Sequence, residues 1–141
     1  MRNVSQGQAQ SLWQLYASTC FVASQGSGWG GDFTIITACN PRGQLLSAGA
    51  NRIRDRQLQH RLQQWRVAHL RLVGAAPDLS HQEASWAVWI DERQALALAV
   101  ELEQNAIYCV SDGQLWLQPC LMAGERLALG HFRDRLRLDE H

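Results

Sequence analysis

FTIITACNPRG, residues 33–43, decides the fold class. From Phe33 to Ala38 it is apolar or β-branched on both faces, the pattern of a central strand covered on each side. Asn40-Pro41-Arg42-Gly43 reads as a turn, because Asn and Gly accept left-handed backbone and Pro presets φ. A helix is expected from about Ala48 to Trp65, with Leu58, Leu62 and Trp65 on one stripe. Carried backward, that stripe meets Asp55 and Asn51, so the inward face of the helix begins polar and ends apolar.

Residues 67–73 alternate, with Ala68, Leu70 and Leu72 on one face and His69 and Arg71 on a wetter one. After a loop over 74–81 comes a strand over 84–90. Asp91 then caps a helix over 92–103 whose core stripe is Ala95, Leu98, Ala99 and Leu102. Strands at 106–110 and 115–117 flank Asp112-Gly113, a strong hairpin signal. Upstream, Leu12, Leu15 and Tyr16 recur at helical spacing before a β-rich 19–23. With Trp13, Leu12 and Tyr16 are placed to cover the sheet face that the two main helices leave open. The Gly-rich 25–32 leads into a strand, not a helix, and so reads as a flexible connection between antiparallel strands, not a phosphate cradle. The tail, 121–141, is ambiguous in pattern; one reading is a helix over 125–138 broken near Gly130.

The central order, strand, helix, strand, strand, helix, strand, is that of a split βαβ. The expected class is therefore α+β: a ferredoxin-like βαββαβ core over about 16–118, with an added N-terminal helix and strand and a C-terminal hairpin strand, in a single domain of residues 1–141. A chain of 141 residues removes about two-thirds of its unfolded surface from water without staples.

Thirteen acids balance thirteen bases, so no global field draws the protein to nucleic acid or to an anionic membrane, and nucleic acid is disfavoured as a partner. The bases are all Arg, which reads as genomic base composition; the cluster Arg52, Arg54, Arg56 and Arg61, interrupted by Asp55, reads as a solvated helix face. The N-terminus lacks a signal-peptide core and no run approaches the roughly 18 apolar residues of a membrane span. A cytoplasmic location is expected, with no membrane partner. Cys20, Cys39, Cys109 and Cys120 lie in or beside apolar runs without a CxxC pair and read as reduced, buried thiols.

Short connections fix which elements rise and which descend. With the strand at Phe33 rising, Asn40 ends it at the top, Asn51 lies in the first turns of a descending helix, and Glu83 begins a descending strand. Gln104 and Asn105 close the rising second helix, and His81 lies in the upper loop. Singly, such residues most often cap helices or satisfy loop backbone. As a group they differ, because Asn51 and Asp55 stand where an inward stripe calls for apolar residues, and a buried unsatisfied amide costs roughly 1–3 kcal/mol.

His81-x-Glu83 with Pro119-Cys120 has part of a zinc-deaminase signature, but position 123 is Ala where a second Cys is needed, and no metal site or cofactor is expected. Cys39 near His81 and Glu83 suggests a nucleophile, base and orienter, against which stands ordinary packing of a small apolar residue. Trp86, Trp89 and Trp116 read as core, not as stacking platforms.

IITACNPRG (35–43), Ser47, Asn51, His81, Glu83 and EQNAIY (103–108) together resemble the bacterial domain of unknown function 3293 family. The resemblance covers roughly residues 16–117. It implies a small bacterial cytosolic protein with no assigned activity and picks out Asn40, Pro41, Gly43, Asn51, Glu83, Gln104 and Asn105. The chain departs from the family in its Gly-rich insert at 26–31 and in Leu102-Glu103, where Phe-Gly is typical.

Three functions remain open on these residues. In the first, the upper end holds a small polar molecule through Asn40, Asn51, Glu83, Gln104 and Asn105, since amides donate and accept without titrating. In the second, a small enzyme uses Glu83 as general acid or base with His81 assisting. The third is a protein-interaction module built on the Trp-bearing sheet face and a mobile Gly-rich loop.

Overall fold

The computed structural model describes residues 6–139. Among them are three α-helices, α1 (Gln6–Ala17), α2 (Ala48–Trp65) and α3 (Glu92–Glu101). The strands are β1 (Cys20–Ala23), β2 (Phe33–Thr37), β3 (His69–Ala75), β4 (Gln82–Val88), β5 (Ala106–Ser111), β6 (Gln114–Pro119), β7 (Leu127–His131) and β8 (Leu136–Leu138). They form one α+β sheet in the order β7-β6-β5-β2-β4-β3-β1-β8, antiparallel throughout except for the parallel β1–β8 pair.

The sheet must curl. Laid flat, eight strands spaced about 4.8 Å apart span roughly 34 Å. Yet its two edges, β7 and β8, are joined by only the 3₁₀ turn Phe132–Arg135, and a link that short reaches less than about 20 Å. One face is therefore convex and the other concave.

Helices α2 and α3 cover the convex face, packing Leu58, Leu62, Ala95, Leu98 and Ala99 on Ile36, Ala38, Trp86, Val88, Ile107 and Cys109. Ser47 caps α2 by accepting from the Ala50 N–H, and Asp91 caps α3 by accepting from that of Gln94. The polar start of the α2 stripe finds partners: Asp55 takes both guanidinium nitrogens of Arg71, at 2.9 and 2.6 Å, and Arg71 lies 3.8 Å over the Trp86 ring. Arg54 is no solvated residue, since it donates to the carbonyls of Ala38 and Leu102 and ties α2 to the end of α3.

The concave face holds Phe21, Phe33, Ile35, Leu72, Ala87, Val110 and Leu115, closed from below by Trp29 and Phe132. Several expectations change here. β1 and β2 are not neighbours, because β3 and β4 lie between them. The Gly-rich connection is pinned by Trp29, which is 5% exposed and donates its indole N–H to the Gln25 carbonyl. α1 covers only the upper end of this face, where Leu15 and Tyr16 stand. The described part of the tail holds no α-helix: Leu127 and Leu129 belong to a strand, Gly130 sits at φ 89°, and Phe132 opens the 3₁₀ turn with its ring in the core. Phe132 and Leu136, four apart, imitate helical spacing, but Arg135 donates to the carbonyls of Ala17 and Thr19 and sews this segment across to β1. Residues 140 and 141 of the tail, and 1–5 of the N-terminus, lie outside the described residues.

Candidate functional site

At the upper end of β2 the chain turns at Asn40, whose backbone is left-handed at φ 49°, ψ 63°. Asn tolerates this conformation better than other residues with a Cβ. Its side chain is the hub of the upper end. The Oδ1 accepts from the Leu46 N–H at 2.9 Å and from Asn51 Nδ2 at 2.9 Å, while Nδ2 donates to Glu83 Oε2 at 2.6 Å. Asn51 completes a reciprocal clamp by accepting the Asn40 N–H at 3.0 Å. These partners leave one orientation for both amides, since flipping either one sets acceptor against acceptor. Gly43 follows at φ 74°; a Cβ there would lie 3.1 Å from Asn105 Nδ2 and 3.3 Å from Leu12, so glycine lets α1 close on the turn.

His81 Nε2 lies 3.2 Å from Glu83 Oε2, with the two side chains 34% and 21% exposed. Glu83 therefore stands half-buried between an amide donor and an imidazole. Gln104, 6% exposed, donates both amide hydrogens, to the carbonyls of Cys39 at 3.1 Å and Leu102 at 3.2 Å. What carries it there is the end of α3. Glu103 takes φ 57°, its N–H bonds the Val100 carbonyl and that of Gln104 bonds Ala99, the paired closure that usually has glycine at the left-handed position. Asn105 donates to the Tyr16 hydroxyl at 3.2 Å, and its carbonyl accepts from Cys120 and Met122.

Between α1 and the upper ends of the strands lies a cavity of about 50 Å³. Asn40, His81, Glu83 and Gln104 line it; Asn51 and Asn105 do not, and stand behind it holding Asn40 and Tyr16. All of the residues placed at the top by chain direction are thus at the top, in two layers.

The family model described as Protein of unknown function (DUF3293) matches residues 36–107, just over half of the 141 residues. The chain belongs to the DUF3293 family. No curated protein and no solved structure matches it.

Asn40, Asn51, His81, Glu83, Gln104 and Asn105 all fall within the DUF3293 match, but the cavity does not end there. Tyr16, Phe21 and Tyr108 line it from outside the matched residues, and Thr37 and Ser85 from within. Sequence reasoning missed these five. The signal was parity: Thr37, Ser85 and Tyr108 each share the inward face of their strand with an apolar residue two positions away, Ile35, Ala87 and Val110. Tyr108 is partly buried and donates its hydroxyl to the Tyr16 carbonyl at 2.6 Å, and burial of that hydroxyl raises its pKa. Burial also raises the Tyr16 hydroxyl, with the nearby Glu83 charge adding to it.

At three of the four cysteines the surroundings disfavour the thiolate. Burial, above all, raises the Cys39 thiol, and it pushes Cys109 and Cys120 up to about 12. Among the described residues no group of three or more His, Cys, Asp or Glu is placed to hold a metal ion, and no helix is long and apolar enough to cross a membrane.

Proposed function

We propose that the upper end of the concave face binds a small polar ligand and that the protein is a binding or regulatory domain. The observation that carries this reading is the cavity of about 50 Å³ with Glu83, Asn40, Gln104 and His81 in its wall. Close-packed interiors leave few voids larger than a water, and roughly 10–15 Å³ suffices for one water, so this space takes only a small group. The polar wall is also preorganised. Glu83 is held by Asn40, Asn40 by Asn51, and Gln104 by two carbonyls, so a ligand meets groups whose ordering entropy is already spent.

In the same proposal the chain is one cytoplasmic domain around a ferredoxin-like core. The central order β5-β2-β4-β3 with antiparallel neighbours supports that core, and four free cysteines suit a reducing compartment. The 3.2 Å approach of His81 to Glu83 favours a second reading, an enzyme in which Glu83 is the general acid or base.

A thermal-shift screen of metabolites tests these readings against two variants. In Gly74→Ala the added Cβ lies 3.7 Å from Ser85 Oγ and from Thr19, an ordinary contact that narrows the cavity without strain. A true ligand at about 100 times its Kd stabilises wild type by about 2.7 kcal/mol, and this stabilisation disappears in Gly74→Ala and weakens in Glu83→Gln. A turnover abolished by Glu83→Gln selects the enzyme. Ligands whose effect survives both variants bind elsewhere and sink the proposal.

A further inference from the structure

All the hydroxyls around the cavity except that of Tyr16 have already committed their protons; Thr19 Oγ1 donates to the Leu15 carbonyl at 3.0 Å. Thr37 Oγ1 donates to the Ala84 carbonyl at 2.7 Å, Ser85 Oγ to the Glu83 carbonyl at 3.0 Å, and Tyr108 Oη to the Tyr16 carbonyl at 2.6 Å. A hydroxyl has one proton, so each of these oxygens offers an incoming group only lone pairs, and Thr37 Oγ1 only one, since it already accepts the Cys39 N–H at 3.0 Å. Gln104 has likewise spent both amide hydrogens, on the carbonyls of Cys39 and Leu102, which leaves its Oε1 as an acceptor. Glu83 adds a carboxylate. Against these acceptors the wall sets few donors: the Tyr16 hydroxyl, the second amide hydrogen of Asn40 and His81.

Charge points the same way. Among the described residues Glu83 is the one carboxylate in the lining, and no arginine lines it. A carboxylate, phosphate or carbonyl entering here meets lone pairs and an anion. An ammonium group brings several donors, no acceptor and the opposite charge, and it is small enough for a space of about 50 Å³.

We propose that the group this cavity receives is a hydrogen-bond-donating cation: an ammonium group, either free or as the protonated end of an amine. This rests on the cavity being a ligand site at all. Glu83 neutralises the charge, and the oxygens of Ser85, Thr37, Tyr108 and Gln104 divide the N–H bonds among them. Asn40 and Asn51 are positioning residues that hold Glu83 at the wall.

The test is a titration of the ¹⁵N-labelled protein at neutral pH with ammonium chloride and methylammonium chloride. Potassium chloride, sodium acetate and urea run beside them at matched ionic strength. Saturable shifts of the backbone amides at Thr37, Glu83, Ser85 and Tyr108 are expected with ammonium or methylammonium. They are lost in Gly74→Ala and shifted to about tenfold weaker binding in Glu83→Gln, the effect of one charged partner. If Glu83→Gln fails to fold, Gly74→Ala alone decides between cavity and surface. Tighter binding of ammonium than of methylammonium identifies the free ion as the source; equal or tighter binding of methylammonium identifies the end of a larger amine. Equal saturable shifts with potassium chloride overturn the need for donors. Shifts at these amides with acetate or urea, and none with ammonium, overturn the cation while the ligand site stands. No shift at these amides with any probe overturns both.

Discussion

The lower and upper ends of the concave face are built on the same strands and end in opposite conditions. At the lower end Phe33 packs on Trp89 at 4.8 Å and edge-on to Phe132 at 5.2 Å, and Trp29 lies 5.6 Å from Phe132. At the upper end the same strands and the loop after β3 contribute Gly74, Ala75, Ala76, Ser85 and Ala106 to the cavity wall. Going up β2, the inward residues run Phe33, Ile35, Thr37; going up β4 they run Ala87, Ser85, Glu83. The backbone ladder continues through both ends. Side-chain volume and polarity alone turn one end into a closed aromatic core and leave the other with space and acceptors.

That contrast is best broken at its closed end. Phe132 is 2% exposed and touches rings from β1, β2 and the Gly-rich connection, so Phe132→Ala is expected to cost about 3–5 kcal/mol in urea denaturation. A loss under about 1 kcal/mol would show that the rings do not close the curled sheet. The open end should yield less. Asn40→Ala removes the bonds to Leu46, Asn51 and Glu83 and puts a Cβ residue without a polar side chain at φ 49°, for a loss of about 2–3 kcal/mol. Asn40→Gly drops the same bonds without the backbone strain and should recover about 1 kcal/mol of that loss. Equal losses in the two variants would assign the whole effect to the side-chain network. The smallest effect lies behind the cavity wall and has the opposite sign. Glu103→Gly relieves the left-handed residue at φ 57° and gives up only a partly exposed 3.4 Å pair with Arg42, so stability should rise by about 1 kcal/mol. Gln104 keeps its two carbonyl partners in that variant, and ligand response should be unchanged.

Much of this was legible along the chain. The Phe33–Thr37 strand, the α2 stripe and the Asp112-Gly113 hairpin follow from local periodicity and turn chemistry, and Asp112 and Gly113 take φ 52° and 79°. Chain direction alone placed Asn40, Asn51, His81, Glu83, Gln104 and Asn105 at one end, because short connections leave no other course. Division of those residues into a cavity wall and its supports was not legible. Asn51 and Asn105 have the same chemistry as Asn40 and Gln104, and only the packing of α1 and α2 decides which amide faces space. The tail was ambiguous because Phe132 and Leu136 are spaced as a helix spaces them, while β7 and β8 are held extended by pairing with β6 and β1, far away in sequence.

By itself, the amino-acid sequence determined the order of the central elements, their up and down directions and the polar character of one end, since these depend on neighbours a few residues apart. The curl of the sheet, the closing of its lower end by Trp29 and Phe132, and the acceptor character of the cavity were decided only in the tertiary structure. A hydroxyl's remaining capacity depends on which carbonyl takes its proton. For Thr37 and Tyr108 those carbonyls belong to residues 47 and 92 positions away.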